Sequence, residues 1–166
     1  MKQLLPHQAD AVNAVIEEFK SADRTHIVMA CGTGKTFTAL KIAEAIKPRS
    51  VVIFLPSLAL ISQCMKEWVS ETTLSSFTTL SVCGDDTVTN DIGSESLLLE
   101  KVSFPVTTEI GAIQRFLKTN SSDTKVIFCT YQSSSVLAQA CEKYLFDFSI
   151  AANTSSSDIP LVLSLK

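Results

Sequence analysis

The sequence predicts an α/β protein, a parallel sheet with helices on both faces. Continuous apolar, β-branched runs such as Val51–Leu55 and Lys125–Cys129 suit strands buried on both faces. Between such runs lie segments whose apolar residues recur every three or four positions, as on one side of a helix. A glycine-rich turn, Gly32-Thr33-Gly34, stands where one run ends and a helical segment begins. The chain has 166 residues, the size of one such domain.

The elements follow in order. Residues 7–20 read as an amphipathic helix, with Val12, Val15 and Phe19 on one face. Ile27–Ala30 is a short strand. Lys35 to Ile46 is a helix that Pro48 stops. Val51–Leu55 is a strand, and Ser57 caps the next helix, which carries the stripe Leu58, Ile61, Met65 and Trp68. Residues 77–83 form a strand. Residues 84–107 are polar and mixed, with turn signals at Gly84-Asp85-Asp86 and Asn90-Asp91. A helix over 109–118 points Ile110, Ile113, Phe116 and Leu117 inward. Lys125–Cys129 is a strand, 134–144 a helix with Val136, Leu137, Ala140 and Tyr144, and Phe146–Ala151 a last strand. Alternation of this kind argues a parallel sheet.

Composition removes several classes. Apolar residues make up 46% and charged residues 19%, which excludes a disordered chain. The longest apolar runs fall far short of a membrane span, so no membrane partner is expected. Fourteen basic against seventeen acidic residues leave a net charge of −3. Contact with nucleic acid would then be local and directed rather than a general electrostatic coating. Cys31, Cys64, Cys83, Cys129 and Cys141 show no CxxC spacing and read as small buried hydrophobes of a reducing compartment. The N-terminus lacks a signal-peptide core, and a cytoplasmic location is expected.

The strongest local signal is Met29-Ala30-Cys31-Gly32-Thr33-Gly34-Lys35-Thr36, directly after a strand and directly before a helix. Glycines let the backbone wrap close to a phosphate, and successive N–H groups with the helix N-terminus point at it. Lys35 can reach the β- and γ-phosphates, and the Thr36 hydroxyl can ligate Mg²⁺. The strict pattern has Gly at position 29, where this chain has Met. The motif predicts binding of a nucleoside triphosphate and leaves the family open. Upstream lies Leu4-Leu5-Pro6-His7-Gln8. A glutamine amide can donate to adenine N7 and accept from its 6-amino group at once.

These segments resemble the first RecA-like domain of superfamily 2 DEAD/DEAH-box helicases. Phe54-Leu55-Pro56-Ser57-Leu58-Ala59-Leu60 resembles motif Ia, and Cys129-Thr130-Tyr131-Gln132-Ser133 the later Thr-Tyr-Gln-Ser segment. With Phe104-Pro105-Val106-Thr107-Thr108, the wording looks most like the helicase part of restriction–modification enzymes of the single-polypeptide type I and type III kinds. The likeness covers about residues 3–151. It implies a P-loop NTPase (RecA-like) fold and ATP and Mg²⁺ as ligands. Nucleotide would contact Gln8, Cys31, Gly32, Thr33, Gly34, Lys35 and Thr36, with Lys35 and Thr36 catalytic and Thr36 on the metal. DNA would contact Pro56, Ser57, Thr130, Tyr131 and Gln132.

The resemblance breaks in two places. Leu5 stands where the family usually has Arg. More seriously, a strand like Phe146–Ala151 should run into Asp-Glu-Ala-His, and here Ala152-Asn153-Thr154-Ser155 follow. Asp147 comes too early and Asp158 after a polar stretch. The chain therefore reads as a partial helicase ATP-binding domain (1–151) with a non-family tail (152–166), an incomplete fold lacking hydrolysis and the second RecA-like domain. A gap is expected beside Ile27–Ala30, either filled by residues 161–165 as a makeshift strand or left open beside a mobile tail. Two other readings stay open: a non-catalytic remnant or interaction module, and a small-molecule P-loop kinase. The kinase reading is disfavoured because Arg24, Arg49 and Arg115 form no lid-like cluster.

Overall fold

The structure, a computed structural model, describes residues 2–30, 32–74, 76–84, 106–119, 123–142, 144–152 and 158–166. Among them run helix α1 (Pro6–Glu18), strand β1 (Arg24–Ala30), α2 (Lys35–Ile46), β2 (Ser50–Leu55), α3 (Leu58–Glu71) and β3 (Phe77–Val82). Then come β4 (Val106–Thr107), α4 (Ile110–Lys118), β5 (Thr124–Thr130), a 3₁₀ turn (Tyr131–Ser133), α5 (Ser134–Cys141), β6 (Phe148–Ala152) and β7 (Asp158–Leu165). The turn signals at 85–86 and 90–91 and the pair Phe104-Pro105 lie outside the described residues.

The strands form one sheet in the order β1-β7-β6-β2-β5-β3-β4. Strands β2 to β6 pair in parallel, as the buried apolar runs predict. Alternation along them sorts side chains onto two cores. Val51, Ile53, Leu55, Val126 and Phe128 pack with α1, α2 and α3 on one face. Val52, Ile127, Cys129, Leu80 and Val82 pack with Ile113 and Leu117 of α4 and Leu137 and Ala140 of α5 on the other. Helix α3 begins as read from the sequence: Ser57 Oγ accepts from the Leu60 N–H at 3.3 Å, and Leu58, Ile61, Met65 and Trp68 are buried.

Strand β7 departs from an all-parallel sheet. It lies between β1 and β6 and runs antiparallel to both, with Ile27 opposite Leu161 and Ile150 opposite Leu163. The segment beside Ile27–Ala30 is thus filled by the tail, and the strand starts earlier than 161. Pro160 pairs across from Val28 only, beyond the end of β6, where its missing N–H leaves no second ladder short. Leu161 and Leu163 are 3% and 0% exposed and join the first core.

Smaller differences lie at the end of α5, at the start of β6 and at Ile110. The helix expected over 134–144 ends at Cys141, where Glu142 turns to a positive φ of 37°, and Tyr144 lies past it. Strand β6 starts at Phe148, because the Asp147 carboxylate accepts from the Arg49 N–H at 3.0 Å and from the Ser50 N–H and hydroxyl at 2.9 and 3.0 Å. Ile110, expected inward, is 37% exposed at the first turn of α4, while Ile113 and Leu117 are buried.

Candidate nucleotide site

Strands β1 and β6 both oppose β7, so they run parallel to each other and to β2, β5 and β3. All these strands end on one edge of the sheet. In open α/β sheets that edge is where ligands bind. Gly32–Thr36 follow β1 there, Pro56 and Ser57 follow β2, and Tyr131 and Gln132 follow β5. The topology therefore gathers the residues singled out in the sequence onto one edge. Cys31 lies outside the described residues.

The loop after β1 needs its glycines. Gly32 and Gly34 have φ of 79° and 83°, a region L side chains avoid. A Cβ at Gly34 would also run into Gln8 Nε2. Thr33 folds back, its hydroxyl donating to the Ala30 carbonyl at 2.7 Å. Gly34 opens the twelve-residue helix α2 with no side chain capping it. The first-turn N–H groups of α2 thus face the loop without a side-chain acceptor, an arrangement suited to an anion. Lys35 Nζ donates to the carbonyls of Met29 at 2.8 Å and Ala30 at 3.1 Å, which holds its charge over the mouth of the loop. Thr36 is half-buried in the first turn of α2.

Gln8 has a position that motif reasoning alone does not give. It is 5% exposed and both ends of its amide are engaged. Oε1 accepts from the Leu5 N–H at 3.0 Å at the start of α1, and Nε2 donates to the Thr33 carbonyl at 2.9 Å. In this arrangement Gln8 braces the loop from α1. Beside it opens a cleft of about 320 Å³ lined by Lys2, Gln3, Leu5, Gln8, Gly34, Phe37 and Glu67. Lys2 Nζ pairs with Glu67 at 3.2 Å, and Lys41 Nζ lies 5.1 Å from the centre of the Phe37 ring. Lys2, Phe37 and Glu67 carry no motif, and only the packing of α1, α2 and α3 assembles them.

The remaining candidates divide by exposure. Ser57 spends its hydroxyl on the cap of α3, and Pro56 is half-buried beside it. Thr130 is fully buried, its hydroxyl donating to Ser133 Oγ at 3.1 Å, so it underpins the turn. Tyr131 and Gln132 are exposed on the edge. The Tyr131 ring stacks on Phe54, centroids 6.1 Å apart and planes 19° apart, and partial burial pushes its hydroxyl pKa up. Asp147 lies at the start of β6, on the opposite edge of the sheet, and ties β6 to β2. Among the described residues no cluster of three or more His, Cys, Asp or Glu side chains could hold a metal, and no helix is long and apolar enough to cross a membrane.

With this geometry in view, the profile of the family described as type III restriction enzyme, res subunit, matches residues 1–151. Two solved structures are similar. One is a nuclease-deletion mutant of the Type ISP restriction-modification enzyme LlaGI in complex with a DNA substrate mimic, 32% identical with a TM-score of 0.73 over 90% of this chain. The other is the ATP-dependent Type ISP restriction-modification enzyme LlaBIII bound to DNA, 31% identical with a TM-score of 0.70 over 89% of this chain. The chain spans 15% and 10% of the length of those two proteins. No curated protein matches.

Proposed function

The chain belongs to the helicase-like family of the type III restriction enzyme res subunit, and from that premise we propose that it is the ATP-binding domain of an ATP-dependent DNA translocase of restriction–modification type. The observation that carries this reading is the β1–α2 junction. Two left-handed glycines, a helix N-terminus without a side-chain cap and the Lys35 ammonium stand together at one strand–helix junction. The triphosphate lies along Gly32–Thr36, and the base reaches toward the cleft beside Gln8 and Phe37. DNA meets the same sheet edge at Pro56, Ser57, Tyr131 and Gln132, with Thr130 supporting the turn beneath. The protein works in the cytoplasm alongside a second RecA-like domain.

Mg²⁺ is the metal this reading implies. The donor set fits a weakly held ion: the Thr36 hydroxyl is its one protein ligand, and phosphate oxygens and water complete the shell, as Mg²⁺ prefers. When bound, the ion neutralises phosphate charge. Hydrolysis is a separate matter. A carboxylate must polarise the attacking water, and from the last residue of β6 the sequence reads Ala152, Asn153, Thr154 and Ser155. This chain therefore grips nucleotide without turning it over. The same substitution favours a second reading, a non-catalytic interaction module that keeps the nucleotide site.

Calorimetric titration with ADP and with a slowly hydrolysed ATP analogue tests the proposal. The wild type should bind both weakly. Lys35→Ala should lose about 1.5–3 kcal/mol, roughly ten- to a hundredfold in affinity, through its charge-assisted bonds. Equal affinities for the two proteins would refute the nucleotide site. Phosphate release should stay at background with or without DNA. DNA-stimulated release that vanishes in Lys35→Ala would refute the reading that hydrolysis is lost.

A further inference from the structure

We propose that this site holds a nucleotide by its phosphates without choosing between adenine and guanine, and that Gln8 is a positioning residue of the phosphate loop rather than a reader of the base. The inference rests on the nucleotide site proposed above. A glutamine that reads adenine must offer both ends of its amide to the base edge. In Gln8 both ends are engaged by backbone: Oε1 accepts from the Leu5 N–H at 3.0 Å, and Nε2 donates to the Thr33 carbonyl at 2.9 Å. The amide cannot turn over in place, because a flip would set oxygen against the Thr33 carbonyl and N–H against the Leu5 N–H. The side chain is 5% exposed, which leaves little of its remaining N–H and lone pair for a base edge to meet.

What the amide does instead follows from peptide geometry. The peptide joining Thr33 to Gly34 is trans, so its carbonyl and its N–H point to opposite sides. Gln8 draws the Thr33 carbonyl toward α1, and His7 Nε2 lies 3.4 Å from the same oxygen. The Gly34 N–H is thereby turned away from α1 and fixed in direction at the start of α2. Left alone, this peptide would rotate easily, because glycines stand on both sides of Thr33 and Gly34 has no Cβ to resist. The Gln8 amide sits against Gly34 in the space a Cβ would need. N–H groups at a helix N-terminus bind phosphate, so an orienting contact of this kind acts on the phosphates and is blind to the base.

The cleft beside Gln8 is built in the same sense. Its two charged side chains pair with each other, Lys2 Nζ with Glu67 at 3.2 Å, and the Lys2 backbone N–H donates to Glu71 at 2.6 Å. Lys2 Nζ also lies 6.0 Å from the centre of the Phe37 ring. Leu5 and Phe37 supply apolar wall. Apolar wall receives a purine by its area, which adenine and guanine share, whereas the two bases differ in the polar groups along their edges.

Calorimetric titration of the full chain with ADP, GDP and inorganic pyrophosphate tests this. Wild-type affinities for ADP and GDP should agree within about threefold, because a base edge read by buried polar groups separates such ligands by far more. Gln8→Ala should weaken all three ligands by one common factor, about tenfold, as loss of one directed hydrogen bond does. Val15→Ala trims a buried residue about two turns further along α1 and should leave all three affinities unchanged. ADP held more than about tenfold tighter than GDP, or a Gln8→Ala loss that spares pyrophosphate, would overturn the proposal and leave the nucleotide site standing. A Gln8→Ala protein that binds as the wild type does would overturn it too, and equal losses in Gln8→Ala and Val15→Ala would reduce Gln8 to a support of α1. A wild type that binds none of the three would refute the nucleotide reading itself, and this inference with it.

Discussion

Strand β1 and strand β6 lie two places apart in one sheet, run the same way and finish on the same edge. After β1 the chain provides Gly32, Gly34, Lys35 and Thr36; after β6 it provides Asn153, Thr154 and Ser155. On the function proposed above, the contrast separates two halves of nucleotide chemistry that depend on sequence differently. Gripping phosphate takes one strand–helix junction with the right backbone turn, local in the chain. Polarising a water takes carboxylates delivered by another strand more than a hundred residues away. The proposed phosphate loop takes its geometry from β1, α2 and Gln8, close to one another in the chain.

The test with the largest expected effect asks whether the strand between β1 and β6 is structural. Leu163 is fully buried and sits opposite Ile150 in β6 and Thr25 in β1. Leu163→Ala should cost about 2–5 kcal/mol in urea unfolding, the range for truncating a buried leucine. Val162→Ala, half-buried on the other face, should cost less. A Leu163→Ala protein as stable as the wild type would mean that β7 is dispensable, and that β1 is held from elsewhere.

A smaller effect separates the two edges of the sheet. Asp147 serves the edge away from the loop, where its carboxylate satisfies two backbone N–H groups and one hydroxyl. Asp147→Ala leaves those donors short, and the expected cost is about 1–3 kcal/mol of stability. Nucleotide affinity should not change. Lost affinity with stability preserved would place Asp147 in the binding machinery, against the geometry.

How much of this could be read from the chain depends on how local each feature is. The loop, the Ser57 cap and the stripe on α3 rest on neighbouring residues, and each falls where the sequence puts it. The direction of β7 does not, because an apolar run alternates alike in either direction. Its position between β1 and β6 follows from the absence of any other described strand there. Asp147 reads in sequence as a carboxylate in the wrong place, and its partners Arg49 and Ser50 lie nearly a hundred residues away. For Gln8, the chemistry of an amide fits an adenine edge and a backbone carbonyl equally well, and only the approach of α1 to the loop selects Thr33. The early end of α5 lies at Glu142, whose φ of 37° leaves the helical region, and the apolar spacing that runs on to Tyr144 carries no sign of it.

The smallest effect concerns the thiols, and it sharpens the comparison by probing the parallel half of the sheet alone. Cys129 is fully buried in β5 on the α4–α5 face, and its Sγ donates to the Thr130 carbonyl at 3.2 Å. Burial foremost, then the nearby Cys83 and Cys141, pushes its pKa from 9.0 up to about 12. The sign follows from which state keeps the proton. Below pH 9 both folded and unfolded thiols are protonated, and the group does not discriminate between them. Between pH 9 and about 12 the unfolded thiol ionises while the folded one does not, so stability falls as pH rises. The expected loss is about 1.4 kcal/mol per pH unit in that window. Cys129→Ala removes the group, so its stability should fall less between pH 8 and pH 10 than that of the wild type, by roughly 1 kcal/mol. The comparison uses the change with pH, which sets aside whatever the lost sulfur costs at neutral pH. Equal falls in the two proteins would mean that the thiol is already open to water, and that the β5 core beneath α4 and α5 is looser than its packing indicates.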